Sequence, residues 1–394
     1  MPSSLATLID TKRVLLCVGS GGVGKTTLAA ALGVAAAVRG RRVLVLTVDP
    51  AKRLANALGL KAFDEHVQHI SIADLAAMGC PALAPLDASM LDVKRTFDRV
   101  VTRYAKSPET AQKILDHPFY QQASTALAGS QEYMATERLY ECVTSGDYEL
   151  VILDTPPSEH ALDFLDAPRR LIDLFASPAF RKLIAPSSRV RTGVFRSGSV
   201  VMRGLQRFTS IEMFSNLLEF FGHLADTFDG FVERARQVQA LLSGPDAAFV
   251  LVSACDAVST DQAESLQTQL RAQGMEPSAW VVNRVLACDP ALADADPALP
   301  GRIAKALVAI GADAAGGDAS DAEQCAYAIA NVARRFGAMA KSDAACVSSV
   351  TARHGADLTV LALPRRATEP DNLTELFAIG ELLAQASQQV PAVA

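Results

Sequence analysis

The chain has 394 residues, 50% hydrophobic and 20% charged, with a formal net charge of −6. That balance fits a globular protein rather than a disordered one, and its length allows two or three domains or one large α/β domain with insertions. The acidic surplus argues against a nucleic-acid partner, whose phosphates need a basic surface.

In chain order, the start MPSSLATLIDTKRVLL lacks a basic region followed by a long apolar stretch, so no signal peptide is expected. Short β-branched runs then recur: VLLCVG (14–19), RVLVLTVD (42–49), ELVILD (149–154), AFVLVS (248–253), AWVVNR (279–284) and LTVLALP (358–364). Continuous apolar runs of this length suit buried parallel strands. A helical stretch at 26–39 follows the first and stops at Gly40, a residue suited to the position after a helix end. Strands and helices in alternation predict an α/β, mostly parallel, doubly wound sheet.

About 100 residues separate the second run from the third, and the third from the fourth, far more than a simple crossover requires. We therefore read a single domain, 1–394, with mostly helical insertions at about 76–146 and 165–245. Within the second, Phe214, Leu217, Leu218, Phe221, Leu224, Ala225, Phe228, Phe231, Val232 and Ala235 fall on one helical stripe. Such a stripe serves either as a subdomain core or as a groove for an apolar helix. The basic stretch Ser188–Arg207 reads as a lid, a membrane contact or a plain connection. ACDPALADADPALPG and GADAAGGDASDAEQ, rich in Ala, Asp, Gly and Pro, read as loops. The longest apolar run, TLAAALGVAAAV, is well short of the ~20 residues of a membrane span. Seven cysteines, at 17, 80, 142, 255, 288, 325 and 346, form no C-x-x-C, which suits free thiols in a reducing cytoplasm.

The segment GSGGVGKTT fits two glycine codes. Gly19, Gly21 and Gly24 match a dinucleotide fingerprint, and Asp49 at a second strand end suits it. Asp49 also suits a helix N-cap, with Pro50 after it. Three features favour a phosphate loop instead. Lys25 directly follows the last glycine, where it reaches β- and γ-phosphates while backbone N–H groups wrap them. Thr26 offers a hydroxyl to Mg²⁺. Asp154 closes an apolar strand with a carboxylate, the arrangement that holds a magnesium shell. The conjunction predicts a P-loop ATP site: Gly19, Ser20, Gly21, Gly22, Val23, Gly24, Lys25, Thr26 and Thr27 around the phosphates, and Thr26 and Asp154 toward the metal.

With these residues in place, the sequence resembles the ArsA-like ATPases, the family of arsenite-pump ATPases and of ATPases that target tail-anchored membrane proteins. GSGGVGKTT is similar to the family's deviant P-loop, LTVDPAKRLANALG to its first switch, and VILDTPPSEHALDFL to its second. WVVNR and LALPRRATEP are similar to its adenine-binding parts. The resemblance implies ATP and Mg²⁺ as ligands, with Lys25 and Asp49 catalytic and Asp49 on the attacking water. It implies Asn283 on the base edge, Leu363 and Pro364 against the ring, and Thr155 to His160 as a γ-phosphate sensor, His160 reading equally well as a loop histidine. A homodimer and a hydrophobic-helix client are implied as partners; the alternative is an energising subunit for an anion or metalloid transporter.

Three departures stand out. Ser20 occupies the position where the group has a signature lysine, leaving Lys52, Arg53 and Arg284 as candidate replacements, although Lys52 and Arg53 read more simply as solvated charges in the first turn of a helix. Cys325 stands alone where targeting ATPases carry a zinc-binding C-x-x-C, and Cys142 alone does not make a three-thiol arsenite site. The sequence therefore predicts a cytoplasmic ATP hydrolase that cycles between partner-bound and released states. A small-molecule kinase fits less well, since large apolar insertions do not make a compact polar pocket.

Overall fold

A computed structural model describes residues 4–48, 52–58, 67–118, 120–121, 130–156, 158–178, 228–294, 297–309, 319–368, 370 and 372–385. Its centre is one eight-stranded sheet in the order β3-β4-β2-β5-β1-β6-β7-β8. The strands are β1 (Val14–Gly19), β2 (Val43–Thr47), β3 (Gln68–Ile70), β4 (Leu86–Met90), β5 (Leu150–Asp154), β6 (Ala247–Ala254), β7 (Pro277–Val285) and β8 (Thr359–Pro364). All neighbours run parallel except β3, which pairs antiparallel with β4 at the edge. The α/β, mostly parallel, doubly wound prediction holds.

The helices are α1 (Leu5–Thr11), α2 (Lys25–Val38), α3 (Lys52–Ala57), α4 (Ile72–Ala77), α5 (Val93–Tyr104), α6 (Pro108–Leu115), α7 (Ser130–Thr144), α8 (Ser158–Ala176), α9 (Phe228–Leu242), α10 (Ala257–Ala272), α11 (Leu299–Ala309), α12 (Ala319–His354) and α13 (Leu373–Gln385). Local chemistry sets many of their starts. Asp92, Ser107 and Asp256 cap α5, α6 and α10 through their side-chain oxygens, and Ser71 with Asp74 forms a capping box on α4. The six apolar runs of the sequence are all strands. Helix α2 ends as expected, with Gly40 in the left-handed region just beyond it.

Two differences from the sequence reading stand out. β4 lies inside 76–146, so this stretch is not an added helical body alone but also carries a strand of the sheet. Asp87 and Ser89 break its apolar run. Asp87 earns its place through partners: it accepts from Tyr148 Oη at 2.8 Å and meets His69 Nδ1 at 2.6 Å. The second difference is α12. The loop expected at 311–324 is helix from Ala319 on, and that helix continues for 36 residues.

Each sheet face has its own core. Leu8, Leu28, Leu32, Val45, Leu363 and Leu376 belong to the face covered by α1, α2 and α13. Leu16, Leu46, Leu139, Phe164, Leu266 and Val350 belong to the other, under α7, α8, α10 and α12. Continuous burial of β1, β2 and β5 follows from this double cover. Fully buried Trp280 on β7 keeps its indole paired, donating to Ser253 Oγ at 2.9 Å, with its ring centroid 5.1 Å from that of His354.

A smaller core joins α5, α7, α8 and α9 through Val100, Tyr133, Met134, Ala167, Phe231 and Ala235. Of the apolar stripe expected in the second insertion, Phe231, Val232 and Ala235 are thus buried. Phe214 to Ala225 and the basic stretch 188–207 lie outside the described residues, as does the side chain of Phe228. Helix α12 packs on α11 and on a 3₁₀ turn at Pro290–Asp294. Gly337 permits that approach, because a Cβ there would strike the backbone of Leu292 and Ala293. Among the described residues, no helix is long and apolar enough to cross a membrane.

Candidate nucleotide site

The site forms at the carboxyl end of the sheet, where the chain order reverses around β1, the usual place for ligands in open α/β sheets. β1 delivers Gly19 into the loop, and α2 begins at Lys25. Gly24 caps α2 with φ 100°, a left-handed conformation in which a side chain is strained. A Cβ there would also strike the Asn283 amide. The loop therefore points backbone N–H groups at the start of a helix, an anion-binding arrangement.

Lys25 is buried, and its Nζ donates to the carbonyls of Gly19 at 3.0 Å and Ser20 at 2.8 Å. Its ammonium is thus held inside the loop. One turn of contacts away, β1 and β2 flank β5 in a register that sets Cys17 and Thr47 beside Asp154. Asp154 is 1% exposed, and its Oδ2 accepts from Thr26 Oγ1 at 2.7 Å and from Thr47 Oγ1 at 3.0 Å. Burial and the Asp154 charge push the Cys17 thiol far above its ordinary range, so it stays a neutral packing group. Thr155 Oγ1 donates to the Cys17 carbonyl at 2.8 Å, fixing the chain as it leaves β5.

A threonine hydroxyl and a carboxylate are hard oxygen donors of the kind Mg²⁺ takes. No cluster of three or more His, Cys, Asp or Glu is placed to hold a metal among the described residues. A small octahedral ion that keeps several waters needs no such cluster.

Asn283, Leu363 and Pro364 come together at the carboxyl ends of β7 and β8. Leu363 is buried in the same core face as Val23, and Pro364 is exposed. The Asn283 amide bridges backbone: Nδ2 donates to the Val23 carbonyl at 2.8 Å, and Oδ1 accepts from the Arg284 N–H at 2.8 Å. A contact to a base edge would use its second N–H. Arg284 has φ 63°, the one positive value outside glycine among the described residues. It sits at a break in the β7–β8 register. Asp49 lies outside the described residues, as do the side chains of Lys52, Arg53 and His160. Thr47 is the site residue that sequence reasoning missed. Its signal was only its place, next to last in the run ahead of Asp49.

Replacing Asn283 with Ala should weaken ATP binding about fivefold, the value of about 1 kcal/mol for one lost hydrogen bond. Titration with a fluorescent ATP analogue measures this; an unchanged Kd would show that the loop does not need the brace.

A strand, a glycine loop closed by lysine and threonine at a helix start, and an adjacent strand-end carboxylate define a P-loop nucleotide-binding protein. Comparison with known proteins narrows the class. The family model described as anion-transporting ATPase matches residues 12–294, and the chain belongs to this ArsA ATPase family. It is an ATPase. It is similar to ATPase GET3 of Malassezia globosa, at 25% identity over 72% of this chain and 77% of that one. ATPase GET3 of Rhodotorula glutinis is 27% identical over 73% of this chain and 74% of its own. A Prosthecochloris vibrioformis protein provisionally named an arsenical pump-driving ATPase is 29% identical over 40% of this chain and 36% of its own.

Proposed function

We propose that the chain is a cytosolic Mg²⁺-ATP-dependent switch that binds and releases a protein or membrane partner. The observation that carries this reading is the junction at Asp154. One carboxylate oxygen collects the hydroxyl of Thr26 from the phosphate loop and of Thr47 from β2. β2 leads on to Asp49, and β5 leads on to Thr155 and α8. A change at the triphosphate is therefore felt by both segments that leave the site.

Within this reading, the loop N–H groups and Lys25 bind and orient the phosphates. Thr26 and Asp154 would hold Mg²⁺, which would supply positive charge against the phosphates. Asp49 accepts a proton from, or orients, the attacking water. Leu363 and Pro364 border the base. Resemblance to the GET3 ATPases supports a homodimer and an apolar-helix client, and the helices α7, α8 and α9 beside the site are the bodies such a cycle would move.

The test is Asp49→Asn. It should keep ATP affinity within about threefold while turnover falls at least about a hundredfold, the scale of general-base loss. Stalled with ATP, the variant should retain a synthetic apolar helix that the wild type releases on hydrolysis. Wild-type turnover in the variant would sink the assignment. Turnover driven by an oxyanion, with no helix retained, would favour the transporter subunit.

A further inference from the structure

Cys17, Cys80 and Cys142 are buried thiols of the core. Cys255 and Cys346 are placed differently. Cys255 stands between the end of β6 and Asp256, the cap of α10. Its thiol donates to the carbonyl of Asp343 at 3.3 Å. Asp343 lies one turn ahead of Cys346 on α12, so the two share a face of that helix. Cys346 Sγ in turn meets Thr260 Oγ1, from the first turn of α10, at 3.7 Å. Both sulfurs therefore occupy the same seam, where α12 crosses the β6–α10 corner. Burial, and then the Cys346 thiol, push the Cys255 thiol up, so its proton leaves less readily than that of an exposed cysteine. Both residues are half-buried, within reach of a small oxidant.

We propose that Cys255 and Cys346 are a reversible dithiol–disulfide pair that staples α12 to the carboxyl end of β6. The oxidant is a small-molecule disulfide such as glutathione disulfide. One protein thiol, after losing its proton, attacks a sulfur of that disulfide and expels a thiolate, leaving a mixed disulfide. The second protein thiol attacks the mixed disulfide, closes the protein bridge and expels a second thiolate. Two protein thiols and one small disulfide thus become one protein disulfide and two small thiols. A disulfide holds its Cα atoms about 4.4–6.8 Å apart, so the bond would clamp α12 against the end of β6. The staple bears on the nucleotide side of the fold, because the Asp343 carboxylate also accepts from the Leu286 N–H at 2.8 Å, just past β7.

The full chain is incubated with glutathione disulfide, its remaining thiols are alkylated, and non-reducing peptides are mapped by mass spectrometry. Exposed Cys325 reports that the oxidant has acted. The expected result is a peptide linking Cys255 to Cys346, lost with dithiothreitol. The thermal midpoint of the oxidised wild type should rise by several degrees, and that of Cys346→Ser should not. If Cys325 is modified while Cys255 and Cys346 alkylate freely, or one carries glutathione without a link, the pair is not a disulfide couple. A link without a rise in midpoint would overturn the staple.

Discussion

Lys25→Ala is expected to lower ATP turnover by about a hundred- to a thousandfold, the scale of removing one preorganised charge from a reacting centre. The geometry gives two reasons. Lys25 as a residue is 7% exposed, so its charge acts where solvent screening is weak. It also donates to the Gly19 and Ser20 carbonyls, so alanine removes two bonds that shape the loop. Lys25→Arg should not rescue, because a planar guanidinium cannot occupy the same point inside the loop. Phosphate release at saturating ATP reads the effect, with circular dichroism as the check on folding. Turnover within threefold of wild type would mean that this loop is not where the reaction occurs.

The second large effect is on stability. Glu137→Ala should cost about 3–5 kcal/mol, the usual loss when one member of a buried ion pair is removed. Glu137 on α7 is fully buried, and both its oxygens accept from Arg234 Nε on α9, at 2.8 and 3.1 Å. Burial pushes the Glu137 carboxyl up, and the Arg234 guanidinium pulls it back. The guanidinium carbon also lies 3.9 Å from the centroid of the Tyr140 ring. Alanine would leave that guanidinium buried without the carboxylate that pairs with it. Replacing both partners, as in Glu137→Leu with Arg234→Met, should recover most of the loss, because neither charge then has to be desolvated. Urea unfolding of the three forms decides it; a single variant within 1 kcal/mol of wild type would show that water reaches the pair. The pair also joins α7, ahead of β5, to α9, at the far side of the second insertion.

What the sequence discloses depends on how local each determinant is. The candidate phosphate loop is contiguous, its glycines, lysine and threonine standing together in GSGGVGKTT, so it can be read from the sequence alone. The six central strands were legible because double cover makes them uniformly apolar. β3 has only three residues, and β4 carries Ser89 and Asp87, the latter partnered by Tyr148 and His69 from other segments; neither strand follows an apolar pattern. Helix α12 escaped for a different reason. Its alanines match no single face, and Ile329, Val332, Phe336 and Met339 are exposed rather than buried. The family resemblance supplied the class of site, yet the link from Asn283 to Val23 and the meeting of Thr26 and Thr47 on one oxygen exist only after folding.

Helix α12 is also a lever arm. At 1.5 Å per residue its length is about 54 Å. Its inner end is pinned: Val347 and Val350 lie in the core, and the Asp343 carboxylate holds the chain just past β7. Its outer half carries Cys325, Ile329, Val332, Phe336 and Met339, alternately four and three residues apart, all facing solvent. A tilt of about 10° at Asp343 would sweep Ile329 through about 4 Å. A rotation that barely alters the nucleotide end thus displaces an apolar stripe by roughly the width of a methyl group. The long helix converts angle into distance.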